Sequence, residues 1–140
     1  MEIDGLLAEL ENALKTEKGD LDRRVAVYNR IVALAAAYLD IPHPVACPQL
    51  VPVDDVRGND YNPNKVAPPE MRLLKLSIRK DGFTMPVVVA QDGKGHVVVD
   101  GFHRRQVAKM DAQIRKSLGG YLPVVRLDKS IEDRITSTVR

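Results

Sequence analysis

Two prolines divide this chain into parts with different folding patterns. Pro42 and Pro44 follow a long helical pattern, and each removes a backbone hydrogen-bond donor and disfavours the α region for the preceding residue. A helix therefore has to end here. Apolar residues recur at helical spacing before this point, whereas short β-rich and helical segments alternate after it. We predict a helical appendage over residues 1–41, a linker over 42–47 and a mixed unit over 48–140.

The first part has the pattern of a helical hairpin. Segment 18–20 supplies a helix stop followed by a new N-cap, and a second helical pattern runs over residues 21–39. We expect two antiparallel helices that serve packing or dimerisation, with recruitment of another partner as the alternative. The apolar residues at helical spacing in the first helix are Ile3, Leu6, Leu7, Leu10 and Leu14.

The net charge of +2 hides an asymmetry between these two parts. Residues 1–40 carry five basic and eight acidic side chains, whereas residues 41–140 carry sixteen and eleven. The near balance excludes a strongly basic nucleic-acid module of the histone type. The absence of Trp, with only two Phe and four Tyr, argues against binding of single strands mainly by aromatic stacking.

Cysteine usage and hydropathy place the chain among intracellular proteins. Cys47 is the single cysteine, so the chain cannot form an internal disulfide. It has no run of 18 apolar residues, and residues 1–20 are too acidic for a signal peptide. We expect a cytoplasmic protein without a membrane partner.

The second part alternates short strands with short helices. We predict strands over residues 50–53, 86–91, 96–100 and 122–127, and helices over 68–80, 102–110 and from 131 onward. Residues 92–95 have the composition of a hairpin turn, and residues 59–64 that of a polar loop. The fold class is therefore α+β, a small mixed sheet with short helices preceded by a helical hairpin.

The candidate functional residues are concentrated where a predicted strand leads directly into a predicted helix. The apolar residues 97–99 are followed by Asp100 and Gly101, and the first turn of the next helix is basic, with His103, Arg104 and Arg105. Free amides and positive partial charge at a helix N-terminus favour an anion, so bases placed there repel unless an anion is bound. We predict a phosphate site in which Gly101 permits close approach and Arg104 clamps the anion. The alternative is a charge run that faces solvent.

Two motifs in this part of the chain resemble those of a known superfamily. One is Val99-Asp100-Gly101-Phe102-His103-Arg104, and the other is Leu76-Ser77-Ile78-Arg79-Lys80-Asp81-Gly82-Phe83-Thr84-Met85-Pro86-Val87-Val88-Val89. Together they resemble the ParB/sulfiredoxin superfamily, and within it the phage and prophage ParB-like proteins that include the IbrB-like co-activators. The resemblance spans about residues 48 to 140.

The resemblance implies a ParB/sulfiredoxin-like fold and a site for a nucleoside triphosphate or diphosphate. In the enzyme alternative given below, Mg²⁺ could bridge a phosphate and Asp60 or Asp100. Carried over by position, one side of this site consists of Ser77, Gly82, Phe83, Thr84, Met85 and Pro86, and the other of Gly101, His103, Arg104 and Arg105. It also implies a homodimer, association with DNA directly or through a further module, and a role in transcription regulation. We do not expect sulfiredoxin activity, because Phe102 stands where sulfiredoxins have their catalytic cysteine.

Two functions are compatible with these residues. The first is a nucleotide-responsive regulatory domain of a DNA-associated protein. The alternative is a small nucleotide-dependent enzyme, an NTPase, phosphotransferase or nuclease, that uses the same phosphate site. Its candidate acids are Asp54, Asp55 and Asp60 in the loop region after the first strand, and Asp100 and His103 are further catalytic candidates. The spacing of the carboxylates predicts no dedicated metal site.

Overall fold

A mixed sheet of five strands lies at the centre of the fold. The computed structural model describes residues 2–58, 68–93 and 95–127. The helices are α1 (Ile3–Thr16), α2 (Leu21–Leu39), α3 (Pro68–Asp81), α4 (Phe102–Met110) and α5 (Ala112–Ser117), and the strands are β1 (Gln49–Pro52), β2 (Val56–Arg57), β3 (Val87–Asp92), β4 (Gly95–Asp100) and β5 (Tyr121–Leu127). The predicted α+β class with a small mixed sheet is confirmed.

The strand order is β1-β5-β3-β4-β2. β3 and β4 form an antiparallel hairpin in which Val88 pairs with Asp100, and β5 lies parallel to β3 on its other side. β1 pairs antiparallel with β5 at one edge, and β2 pairs parallel with β4 at the other. This pairing puts the end of β4 beside the beginning of β3.

The core is built mainly from valines of the sheet. β-branched side chains suit the pleated surface of a strand, and full burial of one such side chain stabilises the fold by roughly 1.5–3 kcal/mol. Helix α4 lies on this layer through Ala108, while Val107 packs with Ile78 of α3 and Ile114 of α5 in a second cluster. The main cluster contains Val51, Val53, Val56, Val87, Val89, Val98, Ala108, Leu122 and Val124. The two clusters hold α4 between the sheet and the other helices.

Helix α2 is attached to the sheet by an amide that completes an edge strand. Asn29 donates from Nδ2 to the Leu50 carbonyl at 2.8 Å and accepts the Leu50 N–H on Oδ1 at 2.9 Å. The side chain thus satisfies both backbone groups that β1 presents at its free edge. Val25 is buried in the same contact, and Leu21 lies directly against Gly119, where a Cβ would not fit.

Helix α1 differs from α2 because none of its residues is buried. Both helices of the predicted hairpin are present, with bounds close to those expected. The apolar stripe on α1, however, keeps more than a third of its surface exposed at every position. The predicted division at residues 41 and 48 stays a prediction.

Several elements differ from the expectation. The two-residue strand β2, the helix α5 and the short 3₁₀ turns Pro44–Ala46 and Val53–Asp55 were not predicted. Each is at most six residues long, which is too short for a periodic pattern to develop. The loop predicted over residues 59–64 and the helix predicted from 131 lie outside the described residues. Among those that are described, no helix is long and apolar enough to cross a membrane.

A buried carboxylate joins α3 to the junction of α4 and α5. Asp111 accepts the Ile114 N–H on Oδ1 at 3.1 Å as the N-cap of α5, and Arg79 of α3 donates to Oδ2 at 2.6 Å. The Asp111 side chain is 4% exposed. The hydrogen bond from the Ile114 N–H lowers the pKa of this carboxyl below its usual value of 3.8, and the contact with Arg79 lowers it further. The ionised carboxylate therefore fixes the end of α4.

We expect Asp111→Ala to lower the free energy of unfolding by about 1–2 kcal/mol at neutral pH, because the cap of α5 is lost. A carboxyl whose pKa is lowered by folding stabilises the protein above its unfolded pKa, and this contribution disappears as the pH falls through the folded pKa. Urea unfolding at a series of pH values should therefore show the difference between wild type and variant shrinking below about pH 4.

The matched control is Asp81→Ala, which removes an exposed acid at the end of α3. It should change the free energy of unfolding by no more than about 0.5 kcal/mol. A loss for Asp111→Ala that stays the same across the acid range would contradict the electrostatic account.

Candidate phosphate site at the start of α4

The sheet brings the two predicted sides of the site together. β4 ends at Asp100, and β3 begins at Val87, so antiparallel pairing makes these two ends neighbours. The connection from α3 therefore reaches Pro86 beside the turn at Gly101. Residues separated by fifteen positions in the sequence meet at one end of the β3–β4 hairpin.

Gly101 starts α4 in a conformation that glycine favours. Its φ is 98° and its ψ is 30°, and it serves as an N-cap without a side chain. Asp20 and Asp111 cap α2 and α5 through their carboxylates, whereas the first turn of α4 has no acidic residue. The first intrahelical bond runs from the Arg105 N–H to the Gly101 carbonyl at 2.9 Å. The amides before Arg105 are those that a helix N-terminus leaves free.

The guanidinium of Arg104 lies over this turn. Nη2 donates to the Pro86 carbonyl at 3.2 Å, and a Cβ built on Gly101 would lie 2.7 Å from the same nitrogen. Nε of Arg104 is buried and has no hydrogen-bond partner among the described residues. Arg104 therefore joins the two sides of the site and places an unsatisfied positive donor at a helix N-terminus.

His103 and Phe102 are stacked edge to face at the same turn. Their ring centroids are 5.5 Å apart with an interplanar angle of 82°. Phe102 packs against the main core and lies so close to Gly58 that a Cβ there would be 2.6 Å from the ring. Nδ1 of His103 is buried and finds no acceptor or donor in the described part of the chain. Phe102 thus has a packing role, while His103 keeps hydrogen-bonding capacity at the site.

Arg105 points to a different partner. Its Nε and Nη2 both donate to the Val56 carbonyl, at 3.0 and 2.7 Å. Burial lowers the pKa of this guanidinium, and the nearby Asp54 carboxylate opposes that effect. Arg105 connects α4 to β2 at the edge of the sheet, so its predicted contact with phosphate would require these two hydrogen bonds to be exchanged.

The segment between α3 and β3 is only partly in contact with Arg104. Gly82 ends α3 with a φ of 82°, and its N–H donates to the Ile78 carbonyl at 2.8 Å. Phe83 packs against both core clusters, while Thr84 and Met85 are exposed beside Pro86. Ser77 is exposed on α3. The structure thus brings Pro86 to Arg104 and leaves Thr84 and Met85 open to a ligand.

The candidate acids do not converge on this turn as a group. Asp54 forms a two-point ion pair with Arg115, at 2.8 and 3.1 Å, and this pair lowers the pKa of the Asp54 carboxyl. Asp55 is exposed, Asp100 is exposed at the end of β4, and Asp60 lies outside the described residues. Within the described ranges, no group of three or more His, Cys, Asp or Glu side chains could hold a metal ion.

Two groups that shape this region were not predicted from the sequence. The Val56 carbonyl binds Arg105, and Gly58 makes room for Phe102. A backbone carbonyl carries no residue-type signal, and the proximity of Gly58 depends on the parallel pairing of β2 with β4. Neither could be read from a local pattern.

No protein-family model matches the chain. Over 98 residues it is 46% identical to the uncharacterized protein YbdM of Escherichia coli (strain K12), an alignment that covers 69% of this chain and 47% of that protein. The chain therefore spans about half the length of the curated relative that it matches.

Solved structures similar to this chain include members of both groups that give the predicted superfamily its name. ParB of Caulobacter crescentus complexed with CTP-gamma-S is 19% identical, with a TM-score of 0.48 over 66% of this chain and 52% of that chain. Sulfiredoxin of Arabidopsis thaliana is 17% identical, with the same TM-score over 66% of this chain and 97% of that chain. A free serine kinase in complex with AMP is 21% identical, with a TM-score of 0.44 over 61% and 33%. The likeness concerns the fold alone, and kinship with prophage or IbrB-like proteins stays a prediction.

Gly101→Ala should show how closely Arg104 is fitted to the turn. A Cβ at Gly101 needs an unfavourable positive φ and also displaces the Arg104 guanidinium from Pro86. We expect a loss of about 2 kcal/mol in the free energy of unfolding, measured by urea titration.

Gly93→Ala is the matched control, because Gly93 has a φ of 63° and open space around its Cβ position. It should cost about 1 kcal/mol from the backbone alone. Equal losses for the two variants would show that Arg104 does not depend on the missing Cβ.

Proposed function

We propose that this chain binds the phosphate groups of a nucleotide at the start of α4. The observation that carries the proposal is the position of Arg104, which lies over Gly101 at a helix N-terminus without a side-chain cap. Its Nε is buried and has no partner in the part of the chain that the structure describes. An anion at this turn would receive hydrogen bonds from first-turn amides and from the guanidinium together.

Charge favours a phosphate over a neutral ligand. The first turn of α4 concentrates basic side chains at the positive end of the helix dipole, and no acid of that turn offsets them. A bound anion would remove this repulsion, and one anion near a helix N-terminus is stabilised by about 0.3–1 kcal/mol through the dipole alone. Hydrogen bonds to a charged group add about 1.5–3 kcal/mol each.

The surroundings of Pro86 favour a nucleotide over free phosphate. Met85 is 57% exposed next to the contact between Pro86 and Arg104, and Thr84 adds an exposed hydroxyl. A base or ribose could lie on this apolar and polar surface while its phosphates reach α4. The nearby Asp100 carboxylate would repel phosphate, and Mg²⁺ accompanying the nucleotide would offset that repulsion.

Binding would act on the connection between α3 and β3. A phosphate that recruits Arg104 competes with the Pro86 carbonyl for the same guanidinium, so ligand binding and the position of residues 82–86 are coupled. A ligand shifts a conformational equilibrium only through such differential contacts. We therefore favour a nucleotide-responsive regulatory domain over the enzyme alternative, for which Asp54 is already paired with Arg115.

Association with DNA is a further part of this proposal, and its support is indirect. Of the five basic residues between 104 and 116, Arg104, Arg105 and Arg115 each donate to a group within the chain. Lys109 and Lys116 form no ion pair within the described residues. Two such lysines are few for a surface that would follow a DNA backbone. The proposed DNA contact would therefore be made through a further module or a partner. The role in transcription rests on the sequence resemblance.

Titration calorimetry with ATP, ADP, CTP and GTP, each with and without Mg²⁺, tests the proposal. We expect wild type to bind at least one of them, and Arg104→Ala to weaken that binding at least about 10-fold, since a charge-assisted hydrogen bond is worth roughly 1.5–3 kcal/mol. Lys109→Ala removes the same charge from the other end of α4 and should leave affinity within about twofold.

Absence of binding for all four nucleotides would refute the proposal, as would equal weakening by Arg104→Ala and Lys109→Ala. If a nucleotide binds, phosphate release or transfer to a small hydroxyl acceptor, followed under the same conditions, would favour the enzyme alternative. No turnover would favour the regulatory domain.

A further inference from the structure

Most of the exposed large apolar residues in the described ranges lie on the first two helices, far from the start of α4 in sequence. Ten of the sixteen exposed large hydrophobic residues in the described ranges belong to residues 3–39. Exposed apolar area of this kind marks an interaction surface in soluble proteins. The ten are Ile3, Leu6, Leu7, Leu10, Leu14, Leu21, Tyr28, Leu34, Tyr38 and Leu39.

Helix α1 needs a partner that the single chain does not supply. It has 14 residues and buries none of them, although its apolar residues form one stripe. An isolated helix of this length is marginally stable in water, and helices in proteins owe most of their stability to packing of an apolar face. The chain does connect α1 to α2 through a short turn, yet this connection leaves every α1 side chain exposed.

The outer side of α2 offers a second apolar stripe. Val25 and Asn29 face the sheet, which places Leu34 and Tyr38 on the opposite side of the helix. These two side chains are 63% and 82% exposed. Ala37 lies one turn after Leu34 on the same side and would let another helix approach closely.

The charges beside the two stripes are complementary. Glu9 and Glu11 lie on the two sides of the α1 stripe, while Arg24 and Arg30 lie on the two sides of the outer α2 stripe. Between its first and last residues α1 carries three acids and one base, whereas α2 carries one acid and three bases. Pairs of opposite charge flanking an apolar seam set partner and orientation in helical bundles, and two copies of α1 would repel each other.

We propose that the chain forms a homodimer in which α1 of each copy packs on the outer side of α2 of the other. The result is a four-helix bundle at one end of the molecule, with the sheets on the outside. This arrangement buries both apolar stripes and pairs acidic flanks with basic ones. It is argued from α1 and α2 alone and does not rest on the proposed nucleotide site at the start of α4.

The mass of the chain in solution tests the proposal. Sedimentation velocity of wild type at micromolar concentration should give twice the 15.5 kDa of one chain. Leu7→Glu combined with Leu10→Glu should weaken the dimer at least about 100-fold, as expected for charges placed in a packed seam. Leu73→Glu combined with Met110→Glu, which alters two exposed apolar residues elsewhere, should leave the mass unchanged.

Charge reversal tests the pairing of α1 with α2. E9K/E11K should weaken the dimer, and R24E/R30E added in the same chain should restore it, because opposite flanks meet again. All four residues are exposed, and urea unfolding of the sheet should be unaffected in each variant. A monomeric wild type would overturn the proposal, and a dimer that the leucine variant does not weaken would do the same. Failure of the second reversal to restore the dimer would rule out the α1–α2 pairing.

Discussion

The antiparallel pairing of β3 with β4 is the constraint on which the site depends. The register sets Val88 opposite Asp100, so the entry to β3 and the exit from β4 are fixed next to each other. A shift by one residue would turn the buried valines of both strands to the wrong face, which makes this register costly to change. The ends of β3 and β4 that carry the two sides of the site therefore cannot separate without breaking the core, whereas residues 82–86 lie before the paired strand.

The N-terminus of α4 differs in charge from the N-termini of α2 and α5. Helices α2 and α5 begin with carboxylates that satisfy their amides, whereas α4 begins with Gly101 and a basic first turn. Arg104 Nη2 donates to the Pro86 carbonyl, and its buried Nε has no partner among the described residues. We propose that an anion bound at this turn would offset the repulsion between the basic side chains and the helix N-terminus.

Sequence patterns predicted those elements whose formation depends on neighbouring residues in the sequence. The break at Pro42 and Pro44, the glycine before α4 and the valine-rich strands all predicted elements that the structure contains. Patterns failed where the cause is a distant backbone group. Arg105 is bound by a carbonyl 49 residues away, and Asn29 completes a strand edge 21 residues away. Helix α5 was missed because its six residues are too few for a periodic pattern, although the predicted end of the preceding helix at residue 110 agrees with the structure.

Nuclear magnetic resonance of the isotopically labelled chain during titration with ATP and with CTP would show whether the start of α4 holds the phosphates of a nucleotide. We expect the largest shift changes at the backbone amides of Phe102, His103 and Arg104 and at the Arg104 Nε–H. Smaller changes at the amides of Thr84 and Met85 would report the other side of the site. Changes confined to other parts of the chain, or none at saturating nucleotide, would contradict the proposed site.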